Sequence, residues 1–187
     1  MLSTSGYAIL ALLARESLSG YDIAQWMKNA IDFFWKTQHS RIYPELAHLE
    51  ELGYVTHRLI EQKQRPAKKL YTITEAGREA LKAWLVMPPM PAAERNELLL
   101  KTYSIWLTEP QQALAFYRRQ LRWHSERLAI FAGIQQRIEE KGIPKPSDPR
   151  FGDYATVRVG VAYEREYVTW CRWMIEQFEQ ELQQQEK

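Results

Sequence analysis

A single cysteine, Cys171, in 187 residues excludes an intramolecular disulfide framework and a thiolate zinc site. No window approaches the roughly 18 uninterrupted apolar residues of a membrane span. The apolar run Tyr7 to Ala14 lacks the length and basic lead-in of a secretory signal, so a cytoplasmic protein with Cys171 reduced is expected. Charge is nearly balanced, 25 basic against 23 acidic residues, so bulk charge does not point to a polyanion partner. Hydrophobic residues make up 45% and charged residues 26%, the composition of an ordinary globular chain and not of a disordered one. Any interaction with a polyanion must come from where the charges sit.

The charges are unevenly placed. Residues 1–87 hold 11 Lys/Arg and 9 Asp/Glu, while residues 88–187 hold 14 of each. Residues 36–69 carry seven cations against four anions. Glycine and proline are also sparse, 8 and 9 in all, and the prolines cluster. Pro88, Pro89 and Pro91 mark a linker, because proline fixes φ and biases its predecessor away from helix. Pro144, Pro146 and Pro149, between Gly142 and Gly152, mark a second break. The expected organisation is a first domain over 1–87, a linker over 88–93, and a second domain over 94–187 broken at 142–152. The Gln/Glu-rich tail is expected to fray.

The first domain reads as three helices, a hairpin and a helix. Residues 3–15 begin with Ser/Thr and continue with good helix formers. Ser19-Gly20 breaks the chain, and a second helix is expected over Tyr21 to Ala30. Ile42, Leu46, Leu49 and Leu52 recur on one helical face, and Gly53 sits where a helix ends. Ser40 is the expected cap of this third helix, because Pro44 requires a start shortly before it. Tyr54–Ile60 and Leu70–Thr74 have strand composition and flank a polar, basic loop. Thr74 then caps a helix through about Val86.

The second domain reads as long helices. Positions 114, 117, 121, 124, 128, 131, 135 and 138 hold a 3.5-residue period, as do 157, 161, 164, 168, 171, 175, 178 and 182. A sustained period of that kind belongs to helices that supercoil with partners. The expected dimer seam is Val157, Val161, Glu164, Val168, Cys171, Ile175 and Phe178. Glu164 in an apolar seam needs a partner; Arg158, Arg165 or a basic group of another copy is the expectation. His124 is expected as a register device or a hydrogen-bonded core group.

The fold class is therefore mainly α with a small β-hairpin wing: an N-terminal winged helix-turn-helix and a C-terminal long-helix dimerisation domain. A major groove about 12 Å wide admits one helix, whose leading residues meet base edges. The candidate DNA contacts are Lys36, Thr37, Gln38, Ser40, Arg41, Tyr43, Pro44 and His48 on the third helix and its lead-in. The wing adds Lys63, Arg65, Lys68 and Lys69 for phosphates. Tyr43 reads equally as a packing residue.

Three stretches carry a family resemblance. They are Ser40-Arg41-Ile42-Tyr43-Pro44-Glu45-Leu46, then Leu49-Glu50-Glu51-Leu52-Gly53-Tyr54-Val55, then Arg65 through Gly77. Together with Ser19-Gly20-Tyr21-Asp22-Ile23 they resemble the PadR family of bacterial transcriptional regulators over residues 1–87. Arg158-Val159-Gly160-Val161-Ala162-Tyr163-Glu164, leading to Trp170, resembles the helical domain of the virulence-activator-type subfamily. The resemblance implies a homodimer on a two-fold symmetric site in double-stranded DNA, often a repressor, sometimes released by a small aromatic effector. Two positions depart from the pattern. Arg41 follows Ser40 where many relatives have Gly-Ser before Ile-Tyr-Pro, so base preference does not carry over. Ala67-Lys68 replaces a frequent Arg, keeping charge without the bidentate fork.

Trp106, Trp123, Tyr163 and Trp170 are the candidate lining of an effector pocket, although aromatics at helical spacing are more often core or interface. Trp26, Trp35 and Trp84 are expected to pack the winged domain. His39, His48, His57 and His124 lack metal spacing, so neither metal nor cofactor is expected. No catalytic motif is present, and Cys171 in a seam is a poor nucleophile, so enzyme activity is not expected. The competing reading is a helical module that binds a small molecule or protein without binding DNA.

Overall fold

The computed structural model describes residues 2–28, 39–62, 65–89 and 95–185. The chain divides into two units, Met1–Ala92 and Ala93–Lys187. In the first, the Ser3 hydroxyl accepts a hydrogen bond from the Gly6 amide at 3.0 Å and so starts helix α1, Thr4–Leu13. Ile9, Leu10, Leu12 and Leu13 are buried from it. A two-residue strand, β1 (Leu18–Ser19), runs directly into α2 (Gly20–Trp26). What reads as a break is thus a capping box. The Ser19 hydroxyl accepts from the Asp22 amide at 3.3 Å, and the Asp22 carboxylate accepts from the Ser19 amide at 3.2 Å. Ala30, the expected end of that helix, lies outside the described residues.

A single 3-10 turn, His39–Arg41, leads into α3, Ile42–Glu51. Ser40 therefore does not cap α3. Arg41 holds that position with helical backbone angles and no side-chain capping bond. A 3-10 turn tightens the helix entry and leaves no extended residue there to act as cap. Pro44 is the third residue of α3, where its missing N–H breaks no intrahelical bond. Ile42, Leu46 and Leu49 are buried. Gly53, at φ 71°, ends the helix: its amide donates to Glu50 O at 3.0 Å and the Tyr54 amide to Leu49 O at 2.9 Å. This is a Schellman motif, and only a residue tolerant of the left-handed region closes it without strain.

Strands β2 (Val55–Gln62) and β3 (Arg65–Ile73) follow, in an antiparallel sheet of order β1-β3-β2. The register pairs Val55 with Ile73, His57 with Tyr71 and Leu59 with Lys69, with an irregularity between Ile60 and Gln62. The expected basic loop is mostly strand, and Lys68 and Lys69 lie within β3. Backbone pairing continues past the last core pair because each N–H and C=O is satisfied by the ladder whatever its side chain. Helix α4, Glu75–Leu85, is capped by Thr74, whose hydroxyl accepts from the Gly77 amide at 3.1 Å and donates to Gly53 O at 2.7 Å. Trp84 stacks on Tyr7 with ring centroids 4.6 Å apart. Trp26 is 40% exposed, and Trp35 lies outside the described residues.

The second unit is helical throughout. Asn96 caps α5 (Glu97–Tyr103), a 3-10 turn spans Ile105–Leu107, and α6 (Pro110–Glu140) and α7 (Arg150–Gln185) follow. At 1.5 Å per residue the two long helices run about 46 and 54 Å. Gly152 lies inside α7, so the proline-rich break is shorter than its composition suggests.

Within one chain the α7 seam is covered by α6. Val157, Val161, Glu164, Val168 and Cys171 are buried within a single chain, where α6 packs against α7. Ile175 and Phe178 are partly buried. The 3.5-residue period is satisfied by α6, whose Leu114, Tyr117, His124 and Phe131 are buried in turn. A heptad period specifies that a helix has a partner and says nothing about whether that partner belongs to the same chain.

Candidate nucleic-acid interface

Helix α3 is pinned to the core by Ile42, Leu46 and Leu49, and its opposite face is open. Ser40, Arg41, Tyr43, Pro44 and His48 are all exposed. Arg41, Pro44, Glu45 and His48 line a shallow groove of about 250 Å³. Tyr43 both faces solvent and packs. It is 54% exposed, yet one edge of its ring packs on Gly20, where a Cβ would come within 2.7 Å of Tyr43 Cε1. The absence of a side chain at Gly20 lets α2 and α3 approach and holds the ring in place.

Carboxylates order the rest of this surface. Glu45 Oε1 accepts from the Ser3 hydroxyl at 2.6 Å, at the positive end of α1. Its Oε2 is buried with no partner among the described residues. Asp22 Oδ2 accepts from the Ser19 hydroxyl at 2.6 Å and lies 3.5 Å from Lys68 Nζ. The Ser19 hydroxyl bond, more than the Lys68 ammonium, holds the Asp22 carboxyl below the usual carboxylate range. Glu50 bonds His57 Nδ1 through Oε1 and meets Lys69 Nζ at 3.8 Å through Oε2.

Two of the expected wing cations are therefore paired with acids of α2 and α3. Composition places these lysines in a basic segment; only the fold brings Asp22 and Glu50 to them. Asp22 carries a faint sequence signal, its spacing of three from Ser19. Glu50 and His57 carry none, because they lie on different elements. Lys36, Thr37, Gln38 and Lys63 lie outside the described residues. Arg65 opens β3.

A second polar cluster lies between α6 and α7. Glu164, 1% exposed, takes a 2.6 Å bond from His124 Nδ1 on one oxygen and a 2.6 Å bond from Arg127 Nε on the other. Neither Arg158 nor Arg165 is the partner; Arg158 lies over the Tyr154 ring. Glu164 and His124 are 40 positions apart, so no local spacing reveals the pair. Three of the four candidate pocket residues share an aromatic tract around this cluster. Trp123 meets His124 edge-on, Tyr167 stacks on His124, and Tyr163 and Trp170 flank Tyr167. The Arg127 guanidinium lies over both Trp123 and Phe131. Trp106 is not in the tract; it lies in the 3-10 turn after α5, 76% exposed.

Comparison with known proteins decides the family. The model of the transcriptional regulator PadR-like family matches residues 9–83, and that of the virulence activator alpha C-terminal domain matches residues 94–179. The chain belongs to the PadR-like family. It is 36% identical over 166 residues to the negative transcriptional regulator PadR of Bacillus subtilis, covering 88% of this chain and 91% of that one. The crystal structure of Bacillus subtilis PadR in complex with operator DNA is similar at TM-score 0.86 and 33% identity, covering 94% of this chain and 99% of that chain. The structure of the same protein in complex with p-coumaric acid is similar at TM-score 0.77 and 33% identity, over 93% and 94% of the two chains. The first family model spans most of the winged helix-turn-helix, from within α1 to within α4, and the second spans the helical unit.

Proposed function

We propose that two copies of this chain form a cytoplasmic repressor that reads a two-fold symmetric operator in double-stranded DNA. The exposed face of α3 carries the reading: it projects Arg41, Tyr43, Pro44 and His48 from a helix whose other face is locked in the core. DNA binding belongs to residues 1–87, a linker to 88–93 and dimerisation to 94–187. Two α3 helices enter successive major grooves about one helical turn apart, and the wings hold the flanking phosphates. A PadR-like relative solved on operator DNA supports this reading.

The dimer contact is better supplied by α5 and its following turn than by the α7 seam. Leu99, Leu100, Tyr103, Trp106 and Leu107 are all exposed, an apolar patch that a second copy covers. An aromatic acid is the effector class. Trp123 lies under the Arg127 guanidinium and Tyr163 and Trp170 flank Tyr167 in the same aromatic tract, and a relative is solved with p-coumaric acid. Burial pushes the Cys171 thiol up to about 11, far from a nucleophilic thiolate, which supports a regulator and not an enzyme acting through Cys171.

The test is fluorescence anisotropy of the purified protein with its own upstream DNA and a scrambled duplex, at two salt concentrations. Preference for one duplex with a steep salt dependence is expected. No binding of either duplex at low salt refutes the reading in favour of a helical small-molecule or protein-binding module.

Replacing Arg65, Lys68 and Lys69 together with Ala is expected to weaken binding to every sequence and flatten the salt slope. Wild-type affinity and slope in that variant would remove the wing from the interface. Gly20→Ala is expected to push the Tyr43 ring off its seat at a stability cost of about 1 kcal/mol. Operator affinity in the same titration should fall by more than affinity for the scrambled duplex. An equal loss on both would show that Tyr43 packs without reading.

A further inference from the structure

The register of the sheet puts His57, Leu59, Lys69 and Tyr71 on one face, because directly opposed residues of an antiparallel pair point the same way. Tyr71 and Ile73 are buried from that face, which is the core side. Glu50, in the last turn of α3, reaches both wing strands there: His57 on β2 and Lys69 on β3. The Tyr71 phenol is raised above its usual range, first by burial and then by the Glu50 charge, consistent with the carboxylate lying among these groups. Asp22 holds the neighbouring Lys68 in the same manner from α2.

An isolated surface ion pair adds little stability, about 0–1 kcal/mol. Its effect on DNA binding is of another kind. Non-specific affinity arises almost wholly from counterion release as cations meet phosphates. A lysine already facing a carboxylate contributes no net charge to that encounter. The specific complex depends in addition on contacts made by α3, which the pair leaves free.

Resting on the regulator reading above, we propose that Glu50 is a specificity-determining positioning residue. It withholds Lys69 from phosphates in the free protein and fixes the wing to the end of the reading helix. It thereby lowers affinity for DNA at large more than affinity for the operator. Its bond to His57 keeps the carboxylate in place, so holding Lys69 requires little further ordering.

The experiment is a salt titration of binding to a short mixed-sequence duplex, by anisotropy, with four proteins: wild type, Glu50→Gln, Lys69→Gln and the double variant. Gln keeps the volume of Glu50 and an oxygen to accept from His57. Glu50→Gln is expected to raise non-specific affinity about two- to fivefold. It should also steepen the slope by about 0.9, one phosphate's worth. Lys69→Gln should flatten the slope by clearly less than about 0.9 in the wild-type background, and in the Glu50→Gln background it should abolish the whole gain.

Two results overturn the proposal. A flattening of the slope by the full amount of about 0.9 in Lys69→Gln alone is the first, since it would make Lys69 a free phosphate contact already. An equal gain in affinity from Glu50→Gln with and without Lys69 is the second, since it would mean simple removal of a negative charge. Should Glu50→Gln unfold the winged unit, the single Lys69→Gln arm still decides. Failure of every protein, wild type included, to bind DNA at low salt would instead refute the regulator reading itself.

Discussion

Glu164→Leu is expected to destabilise the helical unit by about 3–5 kcal/mol, the cost of breaking a buried ionic group by removing one partner. Glu164 is the common acceptor for His124 and Arg127, and it is almost fully buried. Leucine would fill the space and leave the His124 Nδ1–H and the Arg127 guanidinium facing an apolar side chain. His124 Nε2 already has no partner among the described residues, so the ring has little else to fall back on. Urea unfolding at fixed protein concentration, followed by far-UV circular dichroism, measures the loss. Replacing the cluster as a whole, with Glu164→Leu, His124→Phe and Arg127→Met together, should recover most of it, since apolar packing often equals a buried ion pair in stability. An unchanged midpoint for the single variant would show that the cluster has no structural role. Failure of the combined variant to recover would point to more than charge pairing at this site.

Gly77→Ala is expected to destabilise the winged unit by at least about 3 kcal/mol, at the upper end of what overpacking costs. Helix α4 approaches the turn after α3 so closely that a Cβ at Gly77 would stand 2.2 Å from the Tyr54 carbonyl oxygen and 2.9 Å from Ile73 Cγ1. The nearer obstacle is backbone. It cannot swing aside as a side-chain tip would, and the Thr74 amide donates to that same oxygen at 3.0 Å. Moving α4 outward would also unstack Trp84 from Tyr7. Thermal unfolding should show a fall of roughly 10 °C or more for this unit. A shift of only a degree or two would mean that α4 tilts away freely. Gly53→Ala makes a useful contrast: that position has open space but a positive φ, so its cost is local strain and should be near 1 kcal/mol.

Much of the fold is legible in the amino-acid order because it depends on local rules. The Ser3 and Thr74 caps, the Gly53 stop and the apolar face of α3 are each written within a few residues. Strand β1 is not, since two residues offer no alternation to read. The wing illustrates the same limit. Its cations are visible in the sequence, but their strand register and their acidic partners are long-range facts.

The candidate interface divides in a similar way. The leading face of α3, from Ser40 to His48, follows from helical periodicity and from Pro44. That Tyr43 rests on Gly20, and that Glu45 reaches Ser3, required two helices to be brought together.

By itself, the sequence determined the order and kind of most of the elements, the face α3 buries, and the membership of the chain in the PadR-like family, because caps, turns and periodicity act over a few residues. Tertiary structure alone decided who meets whom. It packed the α7 seam on α6, paired Glu164 with His124 and Arg127, and set Asp22 and Glu50 against the wing lysines. The reason is that periodicity specifies which side of an element needs a partner, whereas the partner is selected by packing and charge among residues distant along the chain.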